Sequence, residues 1–124
     1  MSVYVDDVEH GFGRMKMCHL WADSLPELLE MVDAIGVQRK WIQGHPELSF
    51  GKHKSASWVH FDIAKAKKSL AISAGAILTD RYGPLEHCAK LDIESGVEAR
   101  MERGRKRLAM LAEVRDRPKL DTDA

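Results

Sequence analysis

The chain has 124 residues, of which 44% are hydrophobic and 31% charged, and its 19 basic side chains balance its 19 acidic ones. A chain of this length suits one domain and can bury enough surface to fold without disulfides or a structural metal. The neutral balance provides no net field for a polyanion, which argues against a dedicated nucleic-acid-binding protein but leaves room for a local basic patch.

The cysteines and the apolar segments point to a soluble protein. Cys18 and Cys88 are too few for a disulfide scaffold and are predicted to be reduced thiols. The N-terminus lacks the basic start and apolar run of a signal peptide. The longest apolar stretch, residues 70–78, is too short to span a bilayer. We therefore predict a cytoplasmic protein with no membrane partner, and a homo-oligomer stays open.

The first helix has the clearest start and end signals. Ser24 can cap the free amides at its N-terminus, and Glu27 completes a capping box with it. Pro26 falls in the first turn, where its missing N–H leaves no hydrogen bond unmade. Gly36 can adopt the left-handed conformation that ends a helix. The sequence therefore predicts a helix over residues 25–35.

The remaining elements are predicted from shorter patterns. The predicted strands cover residues 3–5, 39–43, 58–62 and 76–79, and the predicted later helices cover residues 63–74 and 97–115. The alternation of Met15, Met17 and His19 with polar residues favours an additional edge strand within a long connection. Residues 44–57 and 80–96 are predicted to be irregular and polar.

The alternation of strands and helices favours a small, mainly parallel sheet flanked by helices, because right-handed crossovers connect such strands. We predict a single α/β domain over residues 1–96, a C-terminal helix over residues 97–115 packed on it, and a polar tail over residues 116–124. In open sheets of this kind, ligands bind beyond the carboxyl ends of the strands. That edge is the predicted location of a functional site.

His60 and Asp62 form the sharpest local motif, because residues two apart in an extended segment face the same side. The pair could be catalytic, with the carboxylate orienting a histidine that acts as a base, or it could ligate a metal. Alternatively, Asp62 only caps the following helix and His60 is its hydrogen-bonded neighbour. The sequence leaves both interpretations open.

Other acidic and imidazole groups are candidate ligands for a divalent metal such as Mg²⁺, Mn²⁺ or Zn²⁺. Asp6 and Asp7 end the first strand, where carboxylates suit hard cations, although a solvated turn is the alternative. His19 and Asp23 are four apart and would share a face if the segment were helical. The other histidines are predicted to be solvated loop residues: His10, His45, His53 and His87.

A phosphate or nucleotide ligand would find further partners in the same region. Lys65 and Lys68 lie in the first turns of the predicted second helix, whose free amides favour an anion. Gln43 and Trp41 come from the second predicted strand and could line the same pocket. A solvated helix face is the alternative for the lysines. The basic last helix is predicted to face solvent or a protein partner rather than nucleic acid.

Several short motifs follow one another along residues 1–80. They are Tyr4-Val-Asp-Asp7, His19-Leu-Trp-Ala-Asp23, Trp41-Ile-Gln43, His60-Phe-Asp62 and Gly75-Ala76. In this order they resemble domain of unknown function 4031 (DUF4031), a family found in bacteria and their phages. Phe61 stands where the family usually has tyrosine, and the loop before it is longer. The resemblance implies no reaction, but it implies a bacterial or host cytoplasm and a role in host–phage conflict, such as capture of a signalling nucleotide.

The leading hypothesis is a metal-dependent phosphoester or nucleotide hydrolase with a His/Asp site. A bound metal would polarise a phosphoryl oxygen and lower the pKa of a bound water, with His60 as the general base or acid. One alternative is a non-catalytic protein that binds a nucleotide or another small ligand, as a phage counter-defence protein would. The other is an interaction module whose last helix docks on a protein. The sequence alone does not decide whether the protein is an enzyme.

Overall fold

The structure is a computed structural model that describes residues 2–117. Its strands and α-helices are β1 (Val3–Val5), β2 (His10–Phe12), β3 (Met15–Ala22), α1 (Leu25–Ile35), β4 (Phe61–Ala64), α2 (Lys65–Ser73), β5 (Ile77–Leu78), α3 (Gly83–Glu94) and α4 (Glu98–Asp116). Short 3-10 turns cover Arg39–Trp41 and Gly51–Ser55. The chain forms two compact units, the first ending at Gly83 and the second beginning at Pro84.

The sheet of the first unit confirms the α/β class but is mixed, so the prediction of a mainly parallel sheet is wrong. β3 is the long central strand and pairs antiparallel with β1, β2 and β4, whereas β1 and β5 run parallel. Met17 pairs with His10 of β2 and with Ala64 of β4, so these two strands lie on opposite edges of β3. The prediction failed because it treated the residues of β2 and β3 as a long connection after β1 and not as strands that pair antiparallel within the sheet.

Strand alternation gives the sheet two chemically different faces. Cys18 and Leu20 of β3 point to the face that α1 and α2 cover, whereas His19 and Trp21 point to the other face. The core on the helix-covered face consists of Val3, Val5, Cys18, Leu20, Leu28, Met31, Val32, Ile35, Ile42, Phe61, Ile63, Ala71 and Ala76. The second face therefore carries the imidazole of His19 outside this core.

The predicted first helix is confirmed in both of its caps. The Ser24 hydroxyl accepts the backbone N–H of Glu27 and donates to its carboxylate. Gly36 ends the helix at a φ of 78°, and its N–H bonds to the carbonyls of Val32 and Asp33. Each of these signals lies within a few residues of the end that it determines.

Several other predicted boundaries are wrong. In place of the strand predicted at 39–43, residues 39–41 form a 3-10 turn and Gln43 forms a single β-bridge with His60; the strand predicted at 58–62 lies at 61–64. The following helix begins at residue 65 because the ladder with β3 keeps the two preceding residues extended. The last strand of the sheet is exposed rather than buried, and residues 83–94 are helical rather than irregular. The final helix is confirmed at residues 98–116.

The second unit contains α4 and nearly all of α3. A Cβ on Gly104 of α4 would press against the carbonyl oxygen of Ala89, so glycine permits the close approach of the two helices. The boundary at residue 96 and the packing of the last helix on the α/β domain stay predictions, and most of the predicted tail lies outside the described residues. None of the helices within residues 2–117 has the length and apolarity needed to cross a bilayer.

The stability of the second unit is expected to fall in acid because of Asp92. Hydrogen bonds from Arg103 and Arg100 hold the pKa of its carboxyl below the ordinary 3.8. A carboxyl with a lowered folded pKa contributes stability above its ordinary pKa and loses it as the pH falls through the folded value. Asp92→Asn should therefore lower the free energy of unfolding at neutral pH, and the difference from wild type should vanish toward about pH 2. Urea unfolding followed by circular dichroism measures this, and a difference that persists in acid would contradict it.

Candidate functional site

The strand register gathers two histidines and an aspartate on the second face of the sheet. His19 of β3 lies directly opposite Asp62 of β4. His10 of β2 lies opposite Met17 and is therefore a diagonal neighbour of His19 on the same face. We call His10, His19 and Asp62 the His/Asp cluster.

The three side chains of the His/Asp cluster converge on one point. Oδ1 of Asp62 lies 3.8 Å from Nε2 of His19 and 3.9 Å from Nε2 of His10. The three atoms all lie within 4.8 Å of one another, and the two imidazole rings stack with their centroids 5.0 Å apart. Atoms of this kind at such spacing could hold a metal ion after small adjustments.

Two of these three atoms are buried without a hydrogen bond. The side chains themselves are 35% exposed at His10, 26% at His19 and 28% at Asp62. Nevertheless, Nε2 of His10 and Oδ1 of Asp62 are inaccessible and find no hydrogen-bond partner within residues 2–117. Buried polar atoms without partners are costly and uncommon, so a cation or proton between them would be stabilising.

Asp6 orients His19 through a hydrogen bond on the side of the ring opposite Nε2. Its carboxylate is fully buried and accepts two hydrogen bonds from His19, one from the backbone N–H at 3.0 Å and one from Nδ1 at 2.6 Å. Because the carboxylate can only accept, Nδ1 of His19 carries a proton, and in the neutral imidazole the lone pair of Nε2 faces Asp62. The same hydrogen bond raises the pKa of His19 against the opposing effect of burial. Metal-ligating histidines typically have such a carboxylate partner.

His60 and Gln43 approach Asp62 from the other side. His60 donates from Nδ1 to the carbonyl of Trp58 at 3.0 Å, and its Nε2 lies 3.4 Å from Oδ1 of Asp62. Gln43 pairs with the backbone of His60 and donates its side-chain amide to Oδ2 of Asp62 at 2.9 Å. Burial alone would raise the pKa of Asp62, but the contacts with His60 and Gln43 and the charge of His19 hold it below its ordinary value.

Aromatic rings close one side of the cluster. Trp58 stacks on His60 with centroids 4.1 Å apart, lies 5.9 Å from the ring of His19 and meets Trp21 edge-on at 5.8 Å. The low local polarity strengthens electrostatic interactions among the groups of the cluster.

The structure brings together half of the predicted site residues. Asp6, His19, Gln43, His60 and Asp62 form one connected group, and their meeting place is a face of the sheet rather than the predicted carboxyl edge. The edge was wrong because antiparallel partners bring residues together along the ladder, not beyond its end. The alternative that Asp62 caps a helix is also wrong, since Ala64 precedes α2 and no side chain caps it.

The other predicted site residues lie elsewhere. Asp7 is exposed beside the buried Asp6, and Asp23 accepts hydrogen bonds from the backbone of Ser2 and the hydroxyl of Tyr4. Lys65 forms an ion pair with Glu9 at 2.6 Å. The remaining two also lie outside the connected group: Lys68 lines a recess beside the core residue Cys18, and Trp41 is exposed beside Phe50 and His53.

His10 is the functional candidate that sequence reasoning missed, because the prediction that it is a solvated loop residue is wrong. The signal that could have placed it is the two-residue loop Gly13-Arg14 between two short extended segments, which is typical of a hairpin. Gly13 has a φ of 60°, as such a turn requires. The hairpin register then fixes His10 opposite Met17. Cys18, between Met17 and His19, faces the core, where burial raises the pKa of its thiol to about 11.

The comparisons with known proteins agree with the order of motifs in the sequence. A family model described as "Protein of unknown function (DUF4031)" matches residues 3–90, a span that includes the whole His/Asp cluster and its supporting residues. No curated protein and no solved structure matches the chain. The match covers well over half of the sequence, and the chain therefore belongs to the DUF4031 family.

Proposed function

We propose that the His/Asp cluster binds one divalent transition-metal ion and that the protein is a metal-dependent hydrolase of a phosphate ester. The observation that carries the proposal is the convergence of three ligand atoms, two of them buried and without hydrogen-bond partners among residues 2–117. A metal ion would satisfy both at once.

The composition of the cluster favours some metals over others. Two imidazoles and one carboxylate suit zinc, iron or manganese better than magnesium, which prefers an all-oxygen octahedral shell. Three protein ligands also leave coordination positions for water or substrate, as catalytic sites do. Of the ions expected from the sequence, the donor set therefore favours Zn²⁺ and Mn²⁺.

His60 is the group best placed to move a proton. Its Nδ1 is held by the Trp58 carbonyl, so its Nε2 is the basic nitrogen and lies beside Asp62. A bound metal would supply an activated water and polarise a phosphoryl oxygen. The Nε2 atom of His60 can accept a proton from that water and return it to the leaving group. Gln43 keeps Asp62 oriented through its amide.

Metal titration tests the proposal directly. Untagged protein, stripped with chelator, is expected to bind one equivalent of Zn²⁺ or Mn²⁺ in calorimetry and to melt at a higher temperature with the ion. His10→Ala and Asp62→Ala should each lose saturable binding because each removes a ligand. His53→Ala is the matched control, since His53 lies outside the cluster, and it should bind like wild type.

An activity assay separates the hydrolase from the metal site. The metal-loaded protein is expected to hydrolyse bis(p-nitrophenyl) phosphate, and His60→Ala should lower kcat while it leaves metal binding in place. Metal binding without hydrolysis would refute the proposed hydrolase activity but not the proposed metal site. If no divalent ion bound, both the proposed metal site and the proposed hydrolase activity would be refuted.

A further inference from the structure

Two exposed aromatic side chains and a histidine form a surface patch that shares no residue with the His/Asp cluster, and we call Trp41, Phe50 and His53 the aromatic platform. Trp41 is 43% exposed and Phe50 48%. The rings of Trp41, Phe50 and His53 contact one another with centroids 5.5 to 5.9 Å apart. Large aromatic side chains that cluster at the surface without burying each other indicate an interaction site.

The surroundings of the platform are basic although the chain as a whole is neutral. Lys40 places its ammonium 4.9 Å from the centroid of the Trp41 ring. Lys52 and Lys54 are exposed in the adjacent 3-10 turn. No carboxylate within residues 2–117 forms an ion pair with any of these three lysines, and Glu47 is the one acidic residue between residues 38 and 57. Their charges are therefore available to a polyanion.

Buried hydrogen bonds hold the segment that carries the platform in place. The hydroxyl of Ser49, which is 2% exposed, donates to the Ile42 carbonyl at 2.8 Å and accepts from the His45 backbone at 2.9 Å. The backbone N–H of Gly44 donates to the carbonyl of His53. The rings are thus positioned before any ligand binds, which reduces the entropic cost of binding.

We propose that the aromatic platform binds single-stranded nucleic acid, with bases stacked on Trp41 and Phe50 and phosphates held by Lys40, Lys52 and Lys54. Stacking platforms with flanking cations are how proteins bind single strands without reading sequence. A free mononucleotide fits less well, because small ligands are held in concave pockets and these side chains are about half exposed. Duplex bases are already stacked on each other and offer the rings no free face. This activity is additional to metal binding and does not depend on it.

Fluorescence anisotropy with a labelled oligothymidylate of about 15 nucleotides tests the proposal. Chelator in the buffer blocks hydrolysis and makes the result independent of the His/Asp cluster. We expect micromolar binding at low salt, and raising NaCl from about 50 to about 200 mM should weaken it about 20-fold if three phosphate contacts are lost. Trp41→Ala should weaken binding about tenfold. Lys52→Glu with Lys54→Glu should weaken it by at least about tenfold.

The controls use exposed residues of the second unit. Lys90→Glu with Lys106→Glu makes the same change of charge and should leave binding unchanged, and all variants should keep the wild-type circular dichroism spectrum because the side chains are exposed. Thymidine monophosphate and a duplex of equal length should compete poorly. Equal affinity for the mononucleotide, failure to bind the oligonucleotide, or indifference to Trp41→Ala would overturn the proposal. So would self-association or binding to anionic vesicles that depends on Trp41 while the oligonucleotide does not bind.

Discussion

Asp6→Asn is expected to weaken Zn²⁺ binding about 10- to 100-fold although Asp6 touches no metal. The wild-type carboxylate accepts the Nδ1 proton of His19 and keeps the Nε2 lone pair directed at Asp62. An asparagine that turns its amide N–H₂ toward the ring would donate to Nδ1 instead and move the ring proton to Nε2. The ligand atom would then carry a proton and could not bind the ion. Calorimetric titration of both proteins at neutral pH measures the change.

The control for this substitution is Asp23→Asn. Asp23 also accepts two hydrogen bonds, from Ser2 and Tyr4, but lies outside the His/Asp cluster. It should bind Zn²⁺ with wild-type affinity. If Asp6→Asn also left the affinity unchanged while both proteins remained folded, Asp6 would have no part in positioning His19. Nuclear magnetic resonance of the imidazole nitrogens would report the tautomer directly.

Gly44→Ala is expected to destabilise the protein by about 3 kcal/mol and to displace His60 as well. Gly44 has a φ of 78°, and an added Cβ would overlap the carbonyl oxygen of Trp58. Both partners in this overlap are backbone, so the chain must shift rather than a side chain. The same Trp58 carbonyl accepts the Nδ1 proton of His60. The shift should therefore release His60 and lower the rate of phosphate-ester hydrolysis.

Gly51→Ala separates the clash from the cost of the backbone conformation. Gly51 has a φ of 57°, but a Cβ there meets nothing within 4 Å. We expect this variant to lose only about 1 kcal/mol, the cost of a left-handed alanine, and to keep the wild-type rate of phosphate-ester hydrolysis. Equal losses in the two variants, measured by urea unfolding, would show that contact with Trp58 is unimportant.

Local signals in the sequence were sufficient where the determining contacts are local. The ends of α1 follow from Ser24, Glu27 and Gly36, each within one turn of the end that it determines. The shared direction of His60 and Asp62 follows from the period of an extended chain, and the 3.4 Å contact agrees with it. Asp6 and His19 were recognised as site residues by type, although the sequence did not reveal that one orients the other.

The remaining errors come from the pairings of β3, one a local hairpin with β2 that was not recognised and another with β4, which lies far along the chain. β3 is central because β4, far along the chain, pairs with one edge of it while β1 and β2 pair with the other, whereas its own alternation suggested only an edge. Because β3 was predicted as an edge strand, the site was predicted at an edge of the sheet instead of on a face, and His10 was not included in it. The start of α2 was missed for the same reason, because ladder hydrogen bonds overrode the local preference for helix.

The alternation along β3 links the interior of the protein to its chemistry. Cys18 and Leu20 build the core while His19, between them, belongs to the cluster on the opposite face. A one-residue slip in the pairing of this strand would therefore reverse both assignments together, exposing the core residues and burying the imidazole. An insertion or deletion of a single residue that shifts the register of β3 is therefore expected to disrupt the fold and the cluster together.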